Sequence, residues 1–162
     1  MQDTTGCRIQ DARFRMQDPR YRIQDAGKKD SGGEMAQAKS YRDLEIYQLS
    51  HKLAVEIHKL SLRLPKFEMF EEGGQIRRSS KGVPSTIVEG FGRRRYKSDF
   101  IRFLIYAHSS CDETIEHLQL LIDTESIDQQ IFDHYFDQYT ELSKKLNNFI
   151  RSVDNGHLAR RP

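Results

Sequence analysis

Beyond residue 40, apolar side chains recur at steps of three and four residues, the spacing that places them on one face of an α-helix. The first such stripe consists of Leu49, Leu53, Ile57, Leu60 and Leu64. It stops at Pro65, because proline disfavours helical geometry in the residue before it. The pattern therefore predicts a first amphipathic helix that begins near Tyr41 and ends before this proline.

A second helix is predicted from about Gln75 to Phe91, after the turn signal Gly73-Gly74. It places Ile76, Ser80, Val83, Ile87 and Phe91 along one stripe. Pro84 lies inside it, removes one backbone hydrogen bond and collides with the carbonyl four residues earlier. We therefore expect a kink near Ser80 or a break of this helix into two pieces.

Local signals mark where the second helix ends and the third begins. Gly90 and Gly92 are expected to close the second helix, because glycine adopts the left-handed conformation of many helix C-caps. Ser98 is predicted to cap the third helix, with Asp99 in its first turn, where a carboxylate favours the helix dipole.

Two longer stripes complete the pattern. The third helix has the clearest periodicity in the chain, with apolar positions at Phe100, Phe103, Leu104, Ala107, Cys111, Ile115, Leu118 and Ile122. The fourth begins near Asp128, ends at Asn155-Gly156 and has an inner face of Ile131, Tyr135, Tyr139, Leu142, Leu146, Phe149 and Val153. Four helices with short connections predict an all-α, antiparallel up-down four-helix bundle over residues 40 to 154.

Residues 1 to 39 have a different character. They contain three near-identical heptads, Cys7–Arg13, Phe14–Arg20 and Tyr21–Gly27. A coiled coil is disfavoured because the apolar positions lie two apart and Pro19 interrupts the second unit. We expect a disordered repeat and linker here, and a flexible tail at residues 155 to 162. We also hypothesise that residues 1 to 34 come from an over-extended reading frame, with Met35 as the start.

Composition narrows the class of protein. With 162 residues, 31% charged and 36% hydrophobic, the chain is typical of one soluble globular domain. Its two cysteines are too few for a disulfide framework, and no apolar run approaches the roughly 18 residues of a membrane-spanning helix. These features predict a cytoplasmic protein with no membrane association.

Charge is divided unevenly along the chain, although the formal net charge is only +2. Residues 77 to 102 carry eight basic and two acidic side chains, whereas residues 112 to 141 carry nine acidic side chains and no Lys or Arg. Both regions must be solvated, paired with each other, or used on a partner.

Several short motifs resemble those of the bacterial four-helix bundle proteins known as 23S rRNA intervening-sequence proteins. They are Y-R-D-L-E-I-Y from Tyr41, Q-I-R-R from Gln75, V-P-S from Val83, E-G-x-G-R from Glu89 and F-x-x-F-L from Phe100. They occur in the family's order and spacing over about residues 41 to 154. The chain departs from the family pattern at Thr86, where asparagine is usual, and at Ser109, where glycine is usual.

The resemblance implies a helical bundle that assembles into a ring of five, is often encoded within insertions in ribosomal RNA genes, and has no established enzymatic activity. A related bundle protein, the accessory factor of diversity-generating retroelements, looks like a partner of nucleic acid and reverse transcriptase. The resemblance therefore implies a homo-oligomer, a pentamer, with RNA, DNA or a protein as a possible partner.

The basic residues between the second and third helices are the best functional candidates. They lie where free backbone N–H groups and the helix dipole also favour an anion such as phosphate. Tyr96 and Phe91 are predicted to stack on an exposed base. The candidate nucleic-acid-binding residues are Arg77, Arg78, Lys81, Phe91, Arg93, Arg94, Arg95, Tyr96, Lys97 and Arg102.

A structural interpretation of the same charges stays open. The basic block of one subunit can pair with the acidic block of the same or a neighbouring subunit, for which Glu113 and Glu116 are the candidate contacts. Arg78 in particular can pair with either carboxylate.

The residue spacings do not favour catalysis. Di-iron bundles carry Glu-x-x-His pairs on two helices, whereas here Glu113 and His117 are four apart and the pattern does not recur. No Gly-x-Ser-x-Gly element surrounds Ser79, Ser80, Ser109 or Ser110. We expect a non-enzymatic protein with no metal, no cofactor and no small-molecule substrate.

Overall fold

The computed structural model describes residues 38 to 156, which contain helices and no strand. A 3-10 turn at Tyr41–Asp43 precedes five α-helices: α1 (Glu45–Ser61), α2 (Lys66–Phe70), α3 (Glu72–Gly92), α4 (Lys97–Asp123) and α5 (Gln129–Gly156). The four long helices pack in the order α1, α3, α4, α5, and α5 also contacts α1. The predicted four-helix bundle is confirmed, and the single-turn α2 is an addition that periodicity did not predict.

Some predictions concern the two ends of the chain, most of which lie outside the described residues. Except for residues 38 and 39, the predicted disordered segment, residues 1 to 39, lies with the reading-frame hypothesis outside the described range. The predicted tail overlaps it by two residues, which belong to α5, and residues 157 to 162 lie beyond it. Among the described helices, none is long and apolar enough to span a membrane.

The predicted apolar stripes form the core. Fully buried aromatic rings include Phe100 of α4 and Phe149 of α5, whose centroids lie 6.2 Å apart in an edge-to-face arrangement. On α4 the stripe is rotated slightly, since Thr114 and Leu121 are buried. All of the α5 stripe from Tyr139 onward is buried.

α3 runs through Pro84 as one continuous helix, so the predicted break into two pieces is wrong. Val83, Pro84 and Ile87 are all buried against the neighbouring helices. Because this packing buries Pro84 and the residues on either side of it, the loss of one backbone hydrogen bond at the proline is tolerated.

Two glycines of α3, Gly82 and Gly90, serve close packing against α4. No glycine in the described range has a positive φ, so the predicted left-handed caps at Gly90 and Gly92 are wrong, and Arg93 ends the helix. A Cβ on Gly90 would lie 2.9 Å from the Cβ of Phe103, and one on Gly82 would lie 3.0 Å from the Ser110 hydroxyl. These glycines let α3 and α4 approach each other closely.

A buried hydrogen bond joins the same two helices. The Thr114 hydroxyl lies 2.9 Å from that of Ser79, and it also bonds to the Ser110 carbonyl within α4. Small hydroxyl side chains thus fill the narrow α3–α4 seam while satisfying their own polar atoms.

Candidate nucleic-acid interface

The basic residues predicted to bind nucleic acid surround the turn from α3 to α4, which we call the basic corner (residues 91 to 97). The Arg93 N–H donates to the Gly90 carbonyl at 2.9 Å, and the Tyr96 N–H donates to the Arg93 carbonyl at 2.9 Å. This tight turn projects Arg95 and Tyr96 into solvent, with Tyr96 63% exposed. Within residues 38 to 156, Arg95 makes no ion pair, so its charge is available to a partner.

The N-terminus of α4 opens onto this corner. Tyr96 occupies the N-cap position in extended geometry, and no side chain accepts a hydrogen bond from the first turn. The prediction that Ser98 is the cap is therefore wrong, because the helix already begins at Lys97. Arg95 immediately precedes the cap residue Tyr96, and the first backbone N–H groups of the helix and the positive end of its dipole favour anions.

Two of the predicted cations hold the corner together. The Arg94 guanidinium lies 4.0 Å from the centre of the Phe91 ring and donates to the Phe91 carbonyl at 2.9 Å. The Lys97 ammonium contacts the Asp154 carboxylate at 3.1 Å and the carbonyl of the same residue, which ties α4 to the end of α5. Phe91 itself is only 5% exposed, so the prediction that it stacks on a base is wrong.

Arg93 and Arg102 flank one aromatic ring on the surface. Their guanidinium carbons lie 5.0 Å and 5.7 Å from the centre of the Phe103 ring. Arg93 pairs with Glu89, four residues earlier, at 3.5 Å, and Arg102 pairs with Asp99 at 3.0 Å. Exposed pairs of this kind contribute about 0 to 1 kcal/mol, so a phosphate can compete for either arginine.

Of the three predicted cations on α3, one makes contacts within the fold and two are exposed. Arg77 is half-buried and donates to the Ser61 hydroxyl and the Met69 carbonyl, both at 3.1 Å, which fixes α2 against α1 and α3. Arg78 and Lys81 are exposed and make no ion pair among the described residues. Lys81 and Arg93 are twelve residues apart, or about 18 Å along the helix. Arg78 and Lys81 are therefore separate from the basic corner.

The candidate acidic contacts lie on the outer surface of α4. Glu113 and Glu116 are both exposed, and Glu113 approaches His117 at 3.7 Å. His117 also contacts Glu72 of α3 at 2.7 Å. In the described part of the chain, Arg78 pairs with neither carboxylate, so the proposed pairing is absent within one subunit.

Sequence reasoning missed a serine–histidine–aspartate arrangement between α4 and α5. His108 Nδ1 lies 3.2 Å from Asp112, and His108 Nε2 lies 2.9 Å from the Ser143 hydroxyl and 2.8 Å from the Asn147 amide. The sequence signal for this arrangement was the four-residue spacing of His108 from Asp112 and of Ser143 from Asn147. Ser143 lies inside a helix whose N–H groups bond to preceding carbonyls, so no backbone donors form an oxyanion hole beside it. The group therefore joins two helices.

The buried thiol of Cys111 offers little reactivity. It lies 3.5 Å from the Tyr139 carbonyl, to which it donates, and burial, aided by Asp112, raises its pKa to about 12. Since the thiolate is the nucleophile, this thiol is inert near neutral pH. Among residues 38 to 156, no three His, Cys, Asp or Glu side chains converge into a possible metal site.

Comparison with known proteins places the chain in a family. The model of the 23S rRNA-intervening sequence protein family matches residues 42 to 148. A crystal structure of a Bacteroides thetaiotaomicron protein of unknown function, from the S23 ribosomal protein family, is similar with a TM-score of 0.60 and 27% identity. That similarity covers 65% of this chain and 95% of the other. No curated protein matches the chain. Because this match covers more than half of the chain, it shows that the chain belongs to the 23S rRNA-intervening sequence protein family.

Proposed function

We propose that this chain is a non-enzymatic, cytoplasmic, oligomeric bundle protein that associates with RNA through its basic corner. The observation that carries the proposal is the joint exposure of Arg93, Arg95 and Tyr96 beside the uncapped N-terminus of α4. Cations and an anion-binding helix end attract the phosphate backbone, and an exposed tyrosine supplies a face on which a base stacks.

The names of the family and of the similar structure connect such proteins with ribosomal RNA. This connection supports RNA over DNA as the partner. The absence of an oxyanion hole beside Ser143 and the inert Cys111 thiol support a role without catalysis.

Exposed apolar side chains support self-association. Leu62, Phe67 and Phe70 are all exposed at the end of the bundle that contains α2, opposite the basic corner. Clustered apolar side chains on a surface are typical of protein contacts. A homo-oligomer that uses this end leaves every basic corner accessible, and the family resemblance makes a ring of five our specific hypothesis.

A salt titration tests RNA association. The affinity for a fluorescent single-stranded RNA is measured by anisotropy between 50 and 200 mM salt, and we expect it to fall steeply, with a log–log slope of about −0.7 per phosphate contact. The double change Arg93→Ala and Arg95→Ala should make the slope shallower by about 1.4.

The matched control removes two exposed lysines elsewhere, Lys66→Ala and Lys144→Ala, and changes the net charge equally. The control should retain the original slope, because neither lysine lies at the corner. Equal slopes for the arginine variant and the wild type, or no binding of RNA at 50 mM salt, would contradict the proposal.

The second candidate function is a protein-interaction module built on complementary charge. Glu116 favours it, since it is exposed and makes no ion pair among the residues described here, within a region of nine acidic side chains. Reversing the charge at Glu113 and Glu116 to lysine should then lower the mass of the oligomer in analytical ultracentrifugation. An unchanged mass would argue against charge pairing between subunits.

A further inference from the structure

A groove runs along the seam between α1 and α3, on the face of the bundle opposite the α4–α5 seam. It has a volume of about 430 Å³, and its walls include Tyr47, His51, Val55 and His58 of α1 and Lys81 and Val88 of α3. This volume lies within the range of about 300–1,000 Å³ that is typical of small-ligand sites. The groove is therefore large enough for a planar ring with its attached sugar.

The groove wall combines a stacking surface, apolar sides and unused polar groups. The rings of Tyr47 and His51 are stacked, with centroids 5.7 Å apart and planes inclined by 26°. Val55 and Val88 supply apolar surface between the helices. His58 also lines the groove, and its Nδ1, which is buried from solvent, has no hydrogen-bond partner among the described residues.

Positive charge lies at one end of the groove. Lys81 lines the end near His58 and forms no ion pair with any described residue, and Arg78 is exposed one turn earlier on α3. No acidic side chain is among the groove residues. This charge favours an anionic occupant over an uncharged apolar one.

Aromatic contacts connect the other end of the groove to the basic corner. The ring of Tyr47 lies 4.8 Å from that of Tyr41, the Tyr41 ring lies 6.4 Å from that of Phe91, and Arg94 covers Phe91 at 4.0 Å. Arg42 lies over the Tyr41 ring at 5.2 Å. Cations thus lie at both ends of one aromatic-lined path.

We infer that this groove binds a base of a single-stranded RNA whose phosphates contact Lys81 at one end and the basic corner at the other. The inference rests on the proposed function and assigns a second contact to the same strand. The flat base stacks on the Tyr47–His51 pair and packs against the two valines. A purely apolar peptide would leave the Lys81 charge without a partner.

Replacing Val55 by glutamine tests the inference without changing charge. Val55 is 38% exposed, and Val55→Gln should lower the affinity for a twelve-residue oligouridylate about tenfold, because the polar amide hinders stacking. The salt slope should stay the same, since no cation is removed. The control Leu120→Gln, at a 37% exposed position on α4, should bind like the wild type.

Photocrosslinking gives an independent readout that does not depend on a variant. Oligouridylate that carries 5-iodouracil is irradiated on the full-length protein, and the attached peptides are identified by mass spectrometry. Crosslinks on Tyr47 or His51 support the groove as the base site. Crosslinks confined to Tyr96 overturn it.

The outcomes separate this inference from the proposed function. If Val55→Gln binds as tightly as the wild type while the Arg93 and Arg95 variant binds weakly, the groove fails and the basic corner stands. If the wild type binds no RNA, both fail. If Val55→Gln changes the mass of the oligomer and not the RNA affinity, the groove is a subunit contact and the inference is overturned.

Discussion

Gly90 lies at the closest approach of α3 and α4, and replacing it by alanine tests why the bundle needs a glycine there. The new methyl group would lie 2.9 Å from the Cβ of Phe103 and 3.2 Å from a ring carbon of Phe100. The Cβ of Phe103 cannot rotate away, because it is bonded directly to the backbone of α4. The two helices must therefore move apart by several tenths of an ångström, and the fully buried Phe100 ring must shift with them.

Two opposing effects set the magnitude. Overpacking a well-filled interior costs about 1–3 kcal/mol. Alanine is better than glycine in a helix by about 0.5–1 kcal/mol, which offsets part of this cost. The expected result is a net loss of about 1 kcal/mol for central values, and of at most about 2.5 kcal/mol, in the free energy of unfolding.

Gly92→Ala is the matched control in the same helix, because nothing lies within 4 Å of the position that its Cβ would occupy. This change should leave stability unchanged or raise it by up to about 0.5 kcal/mol, since only the backbone effect remains at the helix end. Urea denaturation followed by circular dichroism measures both variants. If Gly90→Ala were as stable as Gly92→Ala, the proposed close packing of α3 on α4 would be wrong.

Three further predictions follow from particular contacts. Arg77→Met should destabilise the fold by about 1–3 kcal/mol in urea denaturation, because two hydrogen bonds are lost, while the RNA salt slope stays unchanged. Ser143→Ala should lower stability by about 1 kcal/mol and leave any hydrolysis of p-nitrophenyl acetate unaltered; a loss of hydrolysis would contradict a purely structural role. Tyr139→Phe should be neutral or stabilising, because the buried Tyr139 hydroxyl has no hydrogen-bond partner in the described structure. Burial raises the pKa of Tyr139 well above 10, so the folded state favours the neutral phenol. The stabilisation that depends on this neutral form is complete below pH 10 and is lost as pH rises beyond that. Tyr139→Phe should therefore lose less stability than the wild type in alkaline denaturation.

The helices could be predicted from sequence because burial repeats with the helical period. Leu53, Ile57, Leu104 and Leu146 are all buried where the stripes placed them. The helix ends were harder to predict, because local signals compete with tertiary contacts. Gly90 has the residue type of a C-cap, yet its lack of a side chain serves the contact with α4.

The candidate site was predicted in part. The position of the basic turn follows from its positive charge and from the interruption between the second and third stripes. Sequence does not show which of its cations make contacts within the fold. From sequence, Phe91 fitted both the stripe of the second helix and a role in stacking on a base. Its burial in the structure shows that it belongs to the core. Lys97 reaches Asp154, 57 residues away, which no local pattern indicates. The groove likewise depends on how α1 and α3 lie side by side, since Tyr47 and Lys81 belong to different helices and to neither apolar stripe.

Native mass spectrometry of the full-length protein, before and after nuclease treatment, tests the central claim most directly because it reports subunit number and bound nucleic acid together. The account predicts a homo-oligomer that carries added mass from RNA, and this added mass disappears on treatment with ribonuclease. A ribonuclease-insensitive mass equal to that of a bare monomer, from a sample that also fails to bind added single-stranded RNA at 50 mM salt, would contradict it.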